Sequence, residues 1–103
     1  MSNTALTRTE DRVMVQPTGD VTAPAVPELR EVLRGAVAGG VREVVLDLSN
    51  AKMLDSCGIG LLIAVHNSLR KAGGKLGVIH ASQDIVALLQ AMRIHQHFSV
   101  TGA

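Results

Sequence analysis

Aromatic side chains are almost missing from this chain: there is no tryptophan, no tyrosine and a single phenylalanine, Phe98. With one aromatic residue the composition argues against stacking on nucleic-acid bases, and the core has to be aliphatic. Charge of one sign is also lacking. Ten Lys+Arg against nine Asp+Glu leave a net charge of +1, so there is no basic field for a phosphate backbone. One cysteine, Cys57, allows no internal disulfide and fits a reducing compartment. No apolar run approaches the roughly 20 residues that span a bilayer. Residues 1–11 are polar and hold no secretory apolar segment. These absences point to a cytoplasmic protein with no nucleic-acid partner and no direct membrane insertion.

What is present is enough to fold. Apolar residues make up 47% of the chain and charged residues 18%, a balance that can bury a core and is too poor in charge for disorder. At 103 residues the expectation is one domain, residues 1–103. Residues 2–8 read as an edge strand or a loose lead-in. Residues 12–17 alternate through Val13 and Val15 as a strand does. A turn follows at residues 18–22. Leu29, Val32, Leu33, Ala36 and Val37 then recur at helical spacing after Pro24 and Pro27, and Gly39-Gly40 stops that helix. Residues 44–48 (VVLDL) form a buried strand. A second helix runs from Ser56 to about Lys71 and closes at Gly73-Gly74. Residues 75–80 form another strand, Ser82 caps a third helix with Ile85, Val86, Leu88, Leu89 and Met92 as its stripe, and a short strand ends at residues 98–100. Strands alternating with helices predict an α/β layer with right-handed crossovers.

The organising stretch is residues 44–62, VVLDLSNAKMLDSCGIGLL. A strand feeds a loop, and the loop presents Asp55-Ser56 where a helix begins. Either residue suits the N-cap, because a short side-chain oxygen can accept from an unpaired first-turn amide. That helix terminus has free N–H groups and partial positive charge, so it tolerates an anion. Read from the residues alone, Ser56 is an ordinary cap.

The run Leu54-Asp55-Ser56-Cys57-Gly58-Ile59-Gly60 resembles the signature loop of the STAS-domain anti-sigma factor antagonists, where Asp-Ser-Ser/Thr/Ala-Gly-Leu/Ile-Gly is usual. The resemblance extends over roughly residues 12–100. It implies a mixed four- to five-stranded sheet with helices mainly on one side. It also implies that Ser56 is the phosphoacceptor. Ser56 then does no catalysis: a partner kinase supplies nucleotide, Mg²⁺ and base. The implied protein is a bacterial partner switch, not an enzyme. Unphosphorylated, it binds a serine-kinase anti-sigma factor; phosphorylated, it lets go; a metal-dependent serine phosphatase resets it. Residues 55–62 and the turn at residues 19–22 would be the docking face, with Asp20, Thr22, Asp55, Ser56, Cys57, Gly58, Ile59 and Gly60 in contact. The alternative is a STAS regulatory subunit of a transporter or signalling scaffold. A weak homodimer is compatible with either.

Several residues have plainer readings. Cys57 reads as a small buried residue, since free cysteine is commonly buried, and nothing places His66 near it as a base. Asp55 reads equally as cap and as recognition element. Gly58 and Gly60 read as sites of close backbone approach. Asp47 reads as a polar mark on the strand facing the loop. His80, His95 and His97 read as surface or strand-end residues, and His95-Gln96-His97 is too few ligands for zinc. Neither double glycine has a phosphate-binding pattern, so no cofactor and no metal is expected. Two features depart from the family. The usual aspartate of the early Gly-x-Leu-Asp pattern is Thr22 here, with Asp20 two residues earlier. The chain also ends at Thr101-Gly102-Ala103 without the final helix many antagonists carry, leaving the surface around residues 82–92 exposed or covered by another subunit.

Overall fold

The hairpin at the start sets the edge of the sheet. In the computed structural model, which describes residues 4–94 and 99–102, β1 (Thr4–Thr9) pairs antiparallel with β2 (Arg12–Pro17), with Thr9 opposite Arg12 across a two-residue turn. From β2 onward every neighbouring pair is parallel. The chain runs α1 (Val26–Ala38), β3 (Glu43–Asp47), α2 (Ser56–Lys71), β4 (Lys75–Ala81), α3 (Gln83–Ala91) and β5 (Ser99–Gly102). The strand order is β1-β2-β3-β4-β5. Each crossover therefore steps one strand in the same direction. Right-handed crossovers taken in one direction put all the intervening helices on one face.

Burial agrees with that geometry. Val13 and Val15 of β2, Val44 and Leu46 of β3, and Leu76 and Val78 of β4 join one core cluster with Leu29 and Leu33 of α1, Leu62 and Leu69 of α2, and Ile85 and Leu89 of α3. Their neighbours on β2, Arg12, Met14 and Gln16, point the other way and are exposed or half-buried. The period of two that marked residues 12–17 as a strand is thus the helix-facing side of the sheet. The core is entirely aliphatic among the described residues.

The helix ends follow their local chemistry. Asp55 caps α2 by accepting from the Gly58 amide at 2.9 Å, and Ser82 caps α3 by accepting from Ile85 at 3.2 Å. Pro27 sits in the first turn of α1, where a missing N–H costs nothing. Gly40 and Gly73 follow α1 and α2 with φ of 82° and 80°, the left-handed turn that stops a helix cheaply only at glycine. Arg70 and Lys71 lie in the last turn of α2, complementing its negative end.

Of the two readings of residues 2–8, β1 takes that of the edge strand. Three details differ from expectation. β4 extends to Ala81 through a register shift, with His80 at φ 56°. Met92, placed in the stripe of the third helix, is the residue after α3 and is 50% exposed; the helix ends one residue too soon to bury it. The last strand begins at Ser99, while His95, His97 and Phe98 lie outside the described residues. Among the described residues, no helix is long and apolar enough to cross a membrane. The contrast between a sealed and an exposed apolar side chain is measurable by urea unfolding. Leu46→Ala empties a fully buried site and should cost about 2–5 kcal/mol, whereas Met92→Ala should stay within about 0.5 kcal/mol of the parent.

Candidate functional site

Two loops meet at the end of the sheet, and each holds the other with an aspartate. The first follows β2 and contains residues 18–25; the second follows β3 and contains residues 48–55. Asp20 reaches across so that its Oδ1 accepts from the backbone amides of Lys52 at 2.8 Å and Met53 at 3.1 Å. Asp55 reaches back: its Oδ2 accepts from the Ala23 amide at 2.9 Å while its Oδ1 caps α2. Between them, Val21 and Leu54 form a parallel bridge, with Val21 N–H donating to Met53 at 3.1 Å and Asp55 N–H to Val21 at 3.4 Å. Val21 is fully buried, and Leu54 nearly so. The Thr22 carbonyl accepts from Ala25 and Val26, turning the chain into α1.

Gly58 completes the junction. A Cβ there would overlap the Val21 carbonyl oxygen and crowd the Leu54 side chain. Only glycine lets α2 start this close to the bridge. Gly60 is different: a Cβ there would meet nothing within 4 Å, so close approach to the fold does not account for it.

Ser56 follows directly from this arrangement. Asp55 does the capping, so the reading of Ser56 as the cap is replaced by its neighbour. Ser56 is the first residue of α2, exposed, and its hydroxyl makes no hydrogen bond among the described residues. Cys57 is exposed rather than buried, because it falls on the solvent side of the first turn. Gly58 and Ile59, expected on the docking face, turn inward: Gly58 is buried against the bridge and Ile59 is 7% exposed in the core. The accessible set around Ser56 is therefore Asp20, Ser56, Cys57 and Gly60, with Thr22 and Asp55 half-buried.

Two carboxylates sit below the usual range. For Asp55 the cause is the Gly58 amide first and the Ala23 amide second. For Asp47, at the end of β3 and 8% exposed, burial pushes upward, but the Ser49 amide and hydroxyl and the His80 ring outweigh it. Asp47 Oδ1 accepts from Ser49 N–H at 2.9 Å and lies 3.1 Å from His80 Nδ1. The plain reading of Asp47 as a polar mark on its strand thus gains a structural role, since the side chain ties the start of the second loop to β4. Sequence reasoning missed the Asp47–His80 pair, because it joins two strands 33 positions apart at a residue with a left-handed backbone, which no periodic pattern marks. No group of three or more potential ligands among the described residues could hold a metal ion.

Comparison with known proteins now decides the family. The STAS domain profile matches residues 3–102. The chain belongs to the STAS domain family. It is 30% identical over 97 residues to the anti-sigma-B factor antagonist of Staphylococcus aureus, covering 93% of this chain and 82% of that protein. Among solved structures, the STAS fold here is similar to an anti-sigma factor antagonist from Mycobacterium paratuberculosis, with a TM-score of 0.85 at 23% identity over 97% of this chain and 85% of that one. It is also similar to the Bacillus cell fate determinant SpoIIAA in its phosphorylated form, with a TM-score of 0.76 at 19% identity over 94% and 89% of the two chains. The five-stranded mixed sheet with three helices is the fold expected of a STAS domain.

Two outcomes test the loop junction. Gly58→Ala must force the loops apart and should cost about 1–3 kcal/mol in urea unfolding, whereas Gly60→Ala should not destabilise. The lowered carboxylates set a sign for pH. Their stabilisation is complete above the ordinary carboxylate range, near pH 4, and is lost as pH falls through the lower folded values. Asp55→Asn keeps a capping oxygen but cannot titrate, so its melting temperature should fall less steeply on acidification than that of the parent.

Proposed function

We propose that this STAS domain is the antagonist in a partner-switching pair, binding a serine-kinase anti-sigma factor while Ser56 is unmodified and leaving it once Ser56 is phosphorylated. The observation that carries this is the division of labour at the head of α2. Asp55 caps the helix and clasps the neighbouring loop, which leaves the Ser56 hydroxyl exposed and unengaged. A serine with no structural role, presented by a rigid loop beside an aspartate, is a suitable acceptor.

The transfer balances simply. Ser56 Oγ forms a bond to the γ-phosphorus of the kinase's ATP as the β–γ bridging bond breaks. ADP leaves, and the hydroxyl proton passes to a base on the kinase. The product carries about −1.5 to −2 charges at pH 7. Within the domain, the α2 terminus accommodates that charge. In a docked complex the same group has to be desolvated beside Asp55, and each ~1.4 kcal/mol of that cost weakens binding tenfold. A metal-dependent serine phosphatase would restore the binding form. The relative from Staphylococcus aureus is named for antagonism of an anti-sigma factor, which supports the partner class.

Incubation with ATP and each candidate serine kinase of the same genome, read by intact mass, tests the reading. One added phosphate on the parent and none on Ser56→Ala is the expected result. Ser56→Asp should bind the same kinase at least about tenfold more weakly than Ser56→Ala. Phosphate retained on Ser56→Ala, or equal binding by the two variants, contradicts it.

A further inference from the structure

β1 is an outer strand with its far edge open. Among the described residues it pairs only with β2. The backbone groups that point away from β2 have no strand to bond, and such an edge is a template for another strand. The usual guards are missing. β1 runs six residues, TALTRT, with no proline, and its register with β2 is unbroken. Its one charged side chain, Arg8, is turned back: a guanidinium nitrogen donates to the Gly39 carbonyl at the end of α1, at 3.2 Å. Residues 5–9 are exposed, Leu6 by 51%.

The faces of β1 follow from its register. Thr4, Leu6 and Arg8 stand opposite Pro17, Val15 and Val13, on the side that carries the helices. Ala5, Thr7 and Thr9 lie on the other side. One flank of α1 overlooks the first row: Glu28 shares a groove of about 300 Å³ with Thr4, and Gly39 takes Arg8. At about 100° per residue, Gly35 falls on that same flank. A Cβ there would meet nothing within 4 Å. Glycine weakens a helix interior, and packing inside the domain gives no reason for this one.

We propose that β1 pairs antiparallel with β1 of a second copy of this chain, about a twofold axis that passes between the two Leu6 residues. The self-match selects both the occupant and the register. A twofold pair keeps the helices of both copies on one side of the joined sheet, so residues opposite each other must share a face. With Leu6 on Leu6, five residues of each strand pair, Ala5 against Thr7 and Arg8 against Thr4. The half-exposed leucines then cover each other, on the side of the sheet where Gly35 leaves room. One shift along, with Thr7 on Thr7, Leu6 would meet Arg8. A further shift would set Arg8 on Arg8, and like charges opposite each other destabilise a ladder. A net charge of +1 leaves little repulsion between copies. Two such strands bury a small area, so the dimer is weak and concentration-dependent. β2 separates β1 from β3, the strand that leads to α2, so Ser56 stays accessible in both copies.

Sedimentation equilibrium of the whole chain from about 10 μM to 1 mM, the span in which a weak complex assembles, tests this. The weight-average mass should climb toward twice that of the monomer and stop there. Leu6→Lys puts like charges at the axis and should weaken dimerisation at least about tenfold. Met92→Ala and Ser56→Asp should dimerise as the parent does. Leu6 is half exposed, so Leu6→Lys should melt with the parent; Thr7→Lys, beside the axis, replaces it if that variant does not fold. The register has its own readout. In a Cys57→Ser background, Leu6→Cys brings two thiols within disulfide reach across the axis and should cross-link on mild oxidation, while Thr9→Cys should not. A parent that stays monomeric, growth past the dimer, parent-like dimerisation of Leu6→Lys, or loss of the dimer in Ser56→Asp overturns the proposal. Cross-linking of Thr9→Cys and not of Leu6→Cys overturns the pairing.

Discussion

The structure around Ser56 depends on two carboxylates that are spent on backbone amides. Asp20 crosses to Lys52 and Met53, and Asp55 crosses to Ala23 while capping α2 at Gly58. These contacts close over the Val21–Leu54 bridge. A loop of this length would ordinarily sample many conformations, and ordering it costs entropy. Here six amides, counting the Val21 amide on Met53 and the Asp55 amide on Val21, are satisfied at the junction of the two loops, and a buried valine and leucine lie beneath them. The head of α2 is thereby fixed relative to the turn before α1. Ser56 inherits a defined position without contributing to it.

That separation of roles is what a reversible modification needs. A residue that caps a helix or fills a core cannot take up a dianion without disturbing the fold. Asp55 and Gly58 hold the structure, Ile59 and Leu62 anchor α2 in the core, and Ser56 stays outside all of it. On the function proposed above, the added charge would act on whatever docks at the surface, where desolvation and repulsion are large, and much less on the domain, where a helix terminus and solvent screen it.

Much of this was legible in the chain itself. Period-two burial at Val13 and Val15, the apolar run at residues 44–48 and the proline and glycine punctuation around α1 are local signals, and local chemistry produced them. The Asp-Ser-x-Gly run placed the head of α2 to the residue. What could not be read were the contacts between distant segments. Nothing local distinguishes Asp20 as a clamp from Asp20 as a docking residue, because its partners lie 32 and 33 positions away. Ile59 and Cys57 were misplaced for a related reason: which side of the first helical turn faces the core depends on the bridge beneath it. His80 meets Asp47 from 33 positions away with a left-handed backbone, and such a contact leaves no period.

Amide hydrogen exchange, compared between the unphosphorylated protein and the protein stoichiometrically phosphorylated on Ser56, probes this account most directly. The amides of Ala23, Lys52, Met53 and Gly58 report the two aspartates one bond at a time. Unchanged protection at all four in the phosphorylated form is the predicted result, since the charge is meant to act on the docked surface alone. Loss of protection at these amides would show that phosphate opens the loop junction itself, and the separation between a holding aspartate and a switching serine would have to be abandoned.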